Sequence, residues 1–185
     1  MKNFTRNDLS FSLCGLNCAL CTMKLGGFCP GCGGGPGNQP CAIARCSLEH
    51  GIHDYCVSCR AYPCRKYDGI TEADSFITHQ HQLQDMARMK AIGPEAYHAE
   101  LACRSQLLAR LLSACNDGRR KTLFSLAANL LDLADLEQAM RQIELQLAEE
   151  ITQKEKAAIA AECLEAAAAG EGIVLKLRRR SREEE

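Results

Sequence analysis

Cys14-Gly15-Leu16-Asn17-Cys18-Ala19-Leu20-Cys21 opens a run of short cysteine motifs. It is followed by Cys29-Pro30-Gly31-Cys32, by Cys41 and Cys46, and by Cys56-Val57-Ser58-Cys59-Arg60-Ala61-Tyr62-Pro63-Cys64. Ten of the 13 cysteines therefore lie between positions 14 and 64. Two residues between cysteines let both sulfurs of a tight turn face one ion, and glycines such as Gly31 and Gly33 let the backbone bend around it. Two such knuckles make a tetrahedral four-thiolate site. Cys18 and Cys21 with Cys29 and Cys32 are the first expected set. Cys41 and Cys46 with Cys56 and Cys59 are the second. Cys14 and Cys64 are further candidates that could replace a member of either set, and His50 and His53 are substitutes in the second.

The wider composition decides how to read this density. Met1 to Ser12 has no apolar core and no small-residue cleavage site, so it does not read as a secretory signal. No apolar run approaches the roughly 18–20 residues that cross a bilayer. The expected compartment is the cytosol. In a reducing compartment clustered cysteines indicate metal ligation rather than disulfides, and an odd total fits a disulfide framework poorly. The formal net charge of -1 gives no bulk electrostatic case for nucleic acid or an anionic membrane. Aromatic content of 5% without tryptophan is thin for stacking on bases.

Thiolate-only sites suit both zinc and iron–sulfur clusters. Paired knuckles favour zinc, at about two ions per chain. The triplet Cys14, Cys18, Cys21 favours a [4Fe–4S] cluster completed by a remote cysteine. Three cysteine ligands alone would leave one iron open to substrate. The triplet has the spacing used by radical S-adenosylmethionine enzymes, but no repeating strand–helix pattern follows Cys21. A third alternative is a zinc-bound thiolate that is itself reactive, in alkyl or sulfur transfer.

The run Gly31 to Pro40 reads as loop. The large apolar residues of the cysteine region are few: Leu16, Leu20, Leu25, Phe28, Ile43, Leu48, Ile52 and Val57. A segment with so small a core needs staples, and a structural zinc supplies on the order of 10 kcal/mol of folding energy.

After about Thr71 the chain turns rich in Ala, Leu, Glu and Gln. Thr71-Glu72-Ala73-Asp74 resembles a helix cap, with a helix expected from there to Ile92. Gly93-Pro94 breaks it, and Pro94 suits a first helical turn. A second helix has Tyr97, Leu101, Leu108, Leu111, Leu112 and Cys115 on one face. Helices over about 119–131, 135–150 and 152–170 follow, the last opened by the capping box Thr152-Gln153-Lys154-Glu155. Ile173 to Leu177 reads as a short strand or extended tail, and Arg178 to Glu185 as a frayed charged end. The expected fold is mostly α. An irregular, metal-stapled, cysteine-rich module (1–70) precedes a bundle of about five helices with a charged tail (71–185).

The motifs around Cys14 to Cys21, Cys29 to Cys32 and Cys56 to Cys64 together resemble the bacterial and archaeal family called domain of unknown function 3795. The resemblance continues through Asn116-Asp117-Gly118-Arg119-Arg120-Lys121 and Leu126-Ala127-Ala128-Asn129-Leu130-Leu131, and so covers most of the chain. It implies a cytosolic metal-binding domain, with zinc the presumed ion, and no particular activity.

Outside the cysteines, Arg119, Arg120 and Lys121 reach a helix N-terminus, where amide groups favour an anion. They are the candidate site for a small anionic ligand or an acidic partner protein. The plainer alternative is that Asp117 caps the helix and the cations are solvated. His79 and His81 are two residues apart and fall on different faces, so a shared ion is not expected. His98, Cys103, Cys115 and Cys163 read as structural residues, the thiols as small buried hydrophobes. Arg178 to Arg180 read as solvated. No phosphate loop, nucleophile elbow or HExxH helix is present. The expected function is a structural metal module presenting a partner- or ligand-binding surface, with an iron–sulfur redox protein or cluster-dependent enzyme as the alternative.

Overall fold

Below Thr71 the chain is too rich in turn formers to sustain long helices, and the computed structural model has only short ones there. They are α1 (Thr22–Leu25) and α2 (Ala42–His50), with single 3-10 turns at Cys18–Leu20, Cys56–Ser58 and Arg65–Tyr67. The structure describes residues 3–35, 41–52, 54–147 and 150–179. Five longer helices follow: α3 (Gln82–Ile92), α4 (Pro94–Ala114), α5 (Lys121–Leu130), α6 (Leu133–Gln146) and α7 (Gln153–Gly170). No strand occurs among the described residues. The mostly helical fold with an irregular cysteine-rich start is as the sequence indicates.

The boundaries carry corrections. The first long helix begins at Gln82, not near Thr71. Asp74 is the reason. Its carboxylate accepts from the His79 amide at 2.7 Å, the Thr78 hydroxyl at 3.2 Å and the Arg178 amide at 2.7 Å. It therefore organises a loop instead of capping a helix. The Asp74 amide donates back to the Arg178 carbonyl at 2.7 Å, so Arg178 is pinned rather than frayed. Residues 173–179 run outside any strand, and the positions after Arg179 lie outside the described residues. Gly93, at φ 87°, ends α3, and Pro94 opens α4 as expected. Thr152 and Glu155 form the full capping box of α7. Gly172, at φ 70°, lets the Ile173 amide reach back to the Ala168 carbonyl at 2.8 Å and close that helix.

The chain divides into two compact units, one comprising 3–101 with 177–179 and the other 102–176. The expected division after residue 70 thus falls inside the first unit, and residues 71–101 fold with the cysteines.

In the first unit Phe11, Leu13, Leu20, Met86, Met89 and Tyr97 are buried. Phe11 packs on Tyr97 and Tyr55, with ring centroids 4.8 and 5.7 Å apart. A smaller group, Phe4, Leu13 and Ala44, gathers Ile43, Leu48 and Ile52 around it together with Cys32 and Cys56. Leu25 and Phe28, expected among the apolar residues, are exposed.

In the second unit α5 is buried on every side from Phe124 onward, which makes it the central helix. Arg104 donates to the Ala128 and Leu131 carbonyls at 3.0 and 2.6 Å, placing a cation on the helix's C-terminal end. α6 buries Leu136, Ala139, Met140 and Ile143. α7 packs on it and buries Ala157, Ala160, Ala161, Leu164 and Ala168.

Candidate metal centres

The ten cysteines from Cys14 to Cys64 line two cavities, both in the first unit. Cys14, Cys18, Cys21, Cys29, Cys32 and Cys41 line the larger, of about 480 Å³. Cys46, Cys56, Cys59 and Cys64 line the smaller, of about 30 Å³, with His50 beside them. None of the 13 cysteines forms a disulfide. Cys41 and Cys46, expected in one set, line different cavities. Cys41 is the extended residue before α2, and Cys46 lies five residues on, within that helix. Five residues along a helix is not a shared face, so the two thiols reach different cavities. Cys64, expected as a possible replacement, lines the smaller cavity where Cys41 does not. His50 Nδ1 lies 3.6 Å from the Cys46 sulfur and 2.9 Å from the Cys46 carbonyl oxygen. His53 lies outside the described residues.

Left-handed glycines shape the larger cavity. At Gly15 (φ 99°) a Cβ would lie 2.7 Å from the Gln82 carbonyl oxygen, and at Gly33 (φ 86°) 2.8 Å from the Arg6 amide nitrogen. Neither position accepts a side chain. The loops are held from behind by polar contacts spanning the first unit. The Tyr97 hydroxyl donates to Asn17 Oδ1 at 2.8 Å, and Asn17 Nδ2 donates to Asp85 at 2.9 Å. Gln82 Nε2 donates to the Cys14 carbonyl at 3.0 Å. The Cys56 amide donates to the Leu13 carbonyl at 2.9 Å, joining the two cavities' loops directly.

Burial sets the thiol chemistry. It pushes Cys14 up to about 12, against the pull of the Ser12 hydroxyl 3.2 Å away, with Cys32, Cys41 and Cys56 adding to the rise. Burial also pushes Cys18 up to about 12, helped by Cys32 and Cys14. Cys56 rises to about 11 through burial, with a hydrogen bond from Tyr67 pulling the other way. Such thiols keep their protons near neutrality, so a metal entering here would have to displace them.

One buried cation faces this region. The Arg6 side chain is 2% exposed. Its Nη1 donates to the Asp8 and Phe11 carbonyls and its Nη2 to the Asp54 carbonyl. The guanidinium also stacks on Tyr55, 5.4 Å from the ring centroid, and hydrogen-bonds Cys32. The sequence offered no signal for Arg6, because its partners are mostly backbone carbonyls of two separate loops.

The remaining candidates are placed as follows. Arg120 pairs with Asp117, whose carboxyl is held low first by the Arg119 amide. Asp117 does not cap α5. Its Oδ1 accepts from Arg119, and the helix starts at Lys121. Arg119 and Lys121 are exposed. His79 bonds Ser75 at 2.9 Å, and His98 bonds the Tyr55 hydroxyl at 2.9 Å. Cys115 is buried as expected, while Cys103 is exposed on α4, which corrects the reading of it as a buried hydrophobe. Among the described residues one trio, Asp132, Asp135 and Glu171, brings three ligand oxygens within 4.8 Å of one another, and all three residues are exposed.

No protein-family model, curated protein or solved structure matches the chain. Among the described residues no helix is long and apolar enough to cross a membrane.

Proposed function

We propose that the chain is a metal-binding protein whose first unit is stapled by thiolate centres, leaving the second unit as a helical platform for a partner or ligand. The observation that carries this reading is the gathering of all ten clustered cysteines into two cavities, none in a disulfide. Ten thiols in a unit with so few large buried apolar residues have no better use than ligation. The smaller cavity suits a single ion, and zinc is the ion that four thiolates hold in closed tetrahedral form. A closed site does no chemistry, so the role assigned to it is structural. The cytosol, where thiols stay reduced, is the matching compartment. The exposed cations Arg119 and Lys121 are the contact proposed for an anionic ligand or acidic partner. The resemblance of the cysteine motifs to domain of unknown function 3795 agrees with this reading and adds no activity.

The test is metal content per chain after purification without oxygen, on the unaltered protein and on Cys56→Ser. At least one zinc per chain is expected, with about one fewer in the variant. Metal-free protein that remains fully folded would overturn the reading.

A further inference from the structure

The two cavities differ too much to hold the same kind of centre. A single zinc needs four thiolates at about 2.3 Å, which puts neighbouring sulfurs about 3.8 Å apart. Six thiols around two zinc ions must share bridging sulfurs, again at that short separation. In a metal–sulfide cluster the inorganic core stands between the ligand sulfurs and keeps them apart. Volume points the same way. The four-thiol cavity, at about 30 Å³, has room for about two water-sized particles, so rotation of its side chains can close it on one ion but not on an eight-atom core. The six-thiol cavity, at about 480 Å³, has that room. A lone ion there would leave most of the space to water beside bare thiols.

The surroundings of the larger cavity also suit a cluster. Its walls include Phe4, Leu16, Met23 and Ile77, which give it an apolar lining. Its sulfurs receive amide hydrogen bonds: Gly31 to Cys29 at 3.4 Å, Cys32 to Cys18, and Leu13 to Cys32. Beside Cys32 lies the buried Arg6, whose Nε has no oxygen or nitrogen partner. A cluster with thiolate ligands carries net negative charge, which the Arg6 guanidinium, itself 3.8 Å from the Asp8 carboxylate, offsets in part. Hydrogen bonds to sulfur and nearby charge are the levers that set cluster potentials.

We propose that the six-thiol cavity holds an iron–sulfur cluster while the four-thiol cavity holds one zinc, so that this chain carries two centres of different nuclearity. The proposal rests on the thiolate-metal reading above and adds the chemical class of the second centre. Arg6 is assigned as a positioning residue for that cluster.

The full chain, isolated without oxygen and reconstituted with ferric iron, a thiol reductant that supplies the ferrous share, sulfide and zinc, tests it. About four iron, four acid-labile sulfide and one zinc per chain are expected, with visible absorption from the cluster. Cys14→Ser, Cys18→Ser, Cys21→Ser and Cys32→Ser together, which leave only Cys29 and Cys41 in that cavity, should abolish iron and sulfide and keep the zinc. Cys56→Ser with Cys59→Ser should do the reverse. Because a ligand variant can fail to fold, Arg6→Gln, which keeps every thiol, is the second arm. It should shift the cluster's midpoint potential downward, since a lost cation disfavours the more negative reduced state. An unchanged potential would overturn the placement of the cluster in the cavity beside Arg6. Zinc alone without sulfide would overturn the cluster and leave the thiolate-metal reading standing. No bound metal of any kind would overturn both.

Discussion

Asn17 joins the cysteine motifs to the helices behind them. It sits within Cys14-Gly15-Leu16-Asn17-Cys18, is buried, and bonds both Tyr97 and Asp85. Neither partner is a metal candidate, so Asn17 separates scaffold from ligation. Asn17→Leu removes both bonds from a buried site and should destabilise the first unit by about 1–3 kcal/mol. Thermal unfolding of the metal-loaded protein measures this, and an unchanged midpoint would show that the network carries no stability. The same residue marks where sequence reading stops. The cysteines announce themselves by spacing, and left-handed Gly31 and Gly33 were foreseeable from the knuckles they flank. Asn17 to Tyr97, 80 residues apart, leaves no trace in local pattern. Arg104 on the α5 carbonyls and Arg6 at Cys32 are invisible for the same reason.

At the scale of elements, helix starts depend on which polar side chain wins the local amide groups. Thr152 wins them at α7: its side chain accepts from the Glu155 amide, and Glu155 returns the bond to the Thr152 amide at 2.8 Å. Thr152→Ala should cost about 0.5–2 kcal/mol of second-unit stability, read from a urea midpoint. The bond to the Thr152 side chain, first, and to its backbone hold the Glu155 carboxyl below its ordinary value of 4.5. A depressed folded value means the contribution is fully present above about pH 4.5 and is lost as pH falls through the lowered folded value. The difference between native protein and Thr152→Ala should therefore shrink on acidification below that point. A gap that stays constant there would contradict the capping role. Thr71 to Asp74 has similar residues and the opposite outcome, because Asp74 spends its carboxylate on Thr78, His79 and Arg178. The apolar faces of α4 and α5 were legible from period alone. The start of α3 was not, since its competitor for Asp74 is an arginine 104 residues away.

For the whole molecule, the division into units changes which part stands alone. A cut at Thr71 would separate Met86, Met89 and Tyr97 from Phe11 and Leu20, with which they are buried. A fragment of 102–176 keeps α5, α6 and α7 with their buried faces intact. That fragment should be helical and monomeric without metal, whereas one beginning at Thr71 should aggregate through its bared apolar residues. Circular dichroism and sedimentation distinguish them, and a well-behaved Thr71 fragment would mean that the two parts of the first unit fold separately. The central claim is that metal held by the clustered thiolates of Cys14 to Cys64 holds the first unit together. Hydrogen exchange of the full chain, before and after metal is stripped by a chelator without oxygen, tests it most directly. The account predicts that amides from Leu13 to Tyr67 lose protection on metal removal while those of α5, α6 and α7 keep theirs. Protection across Leu13 to Tyr67 that survives complete metal removal would contradict it.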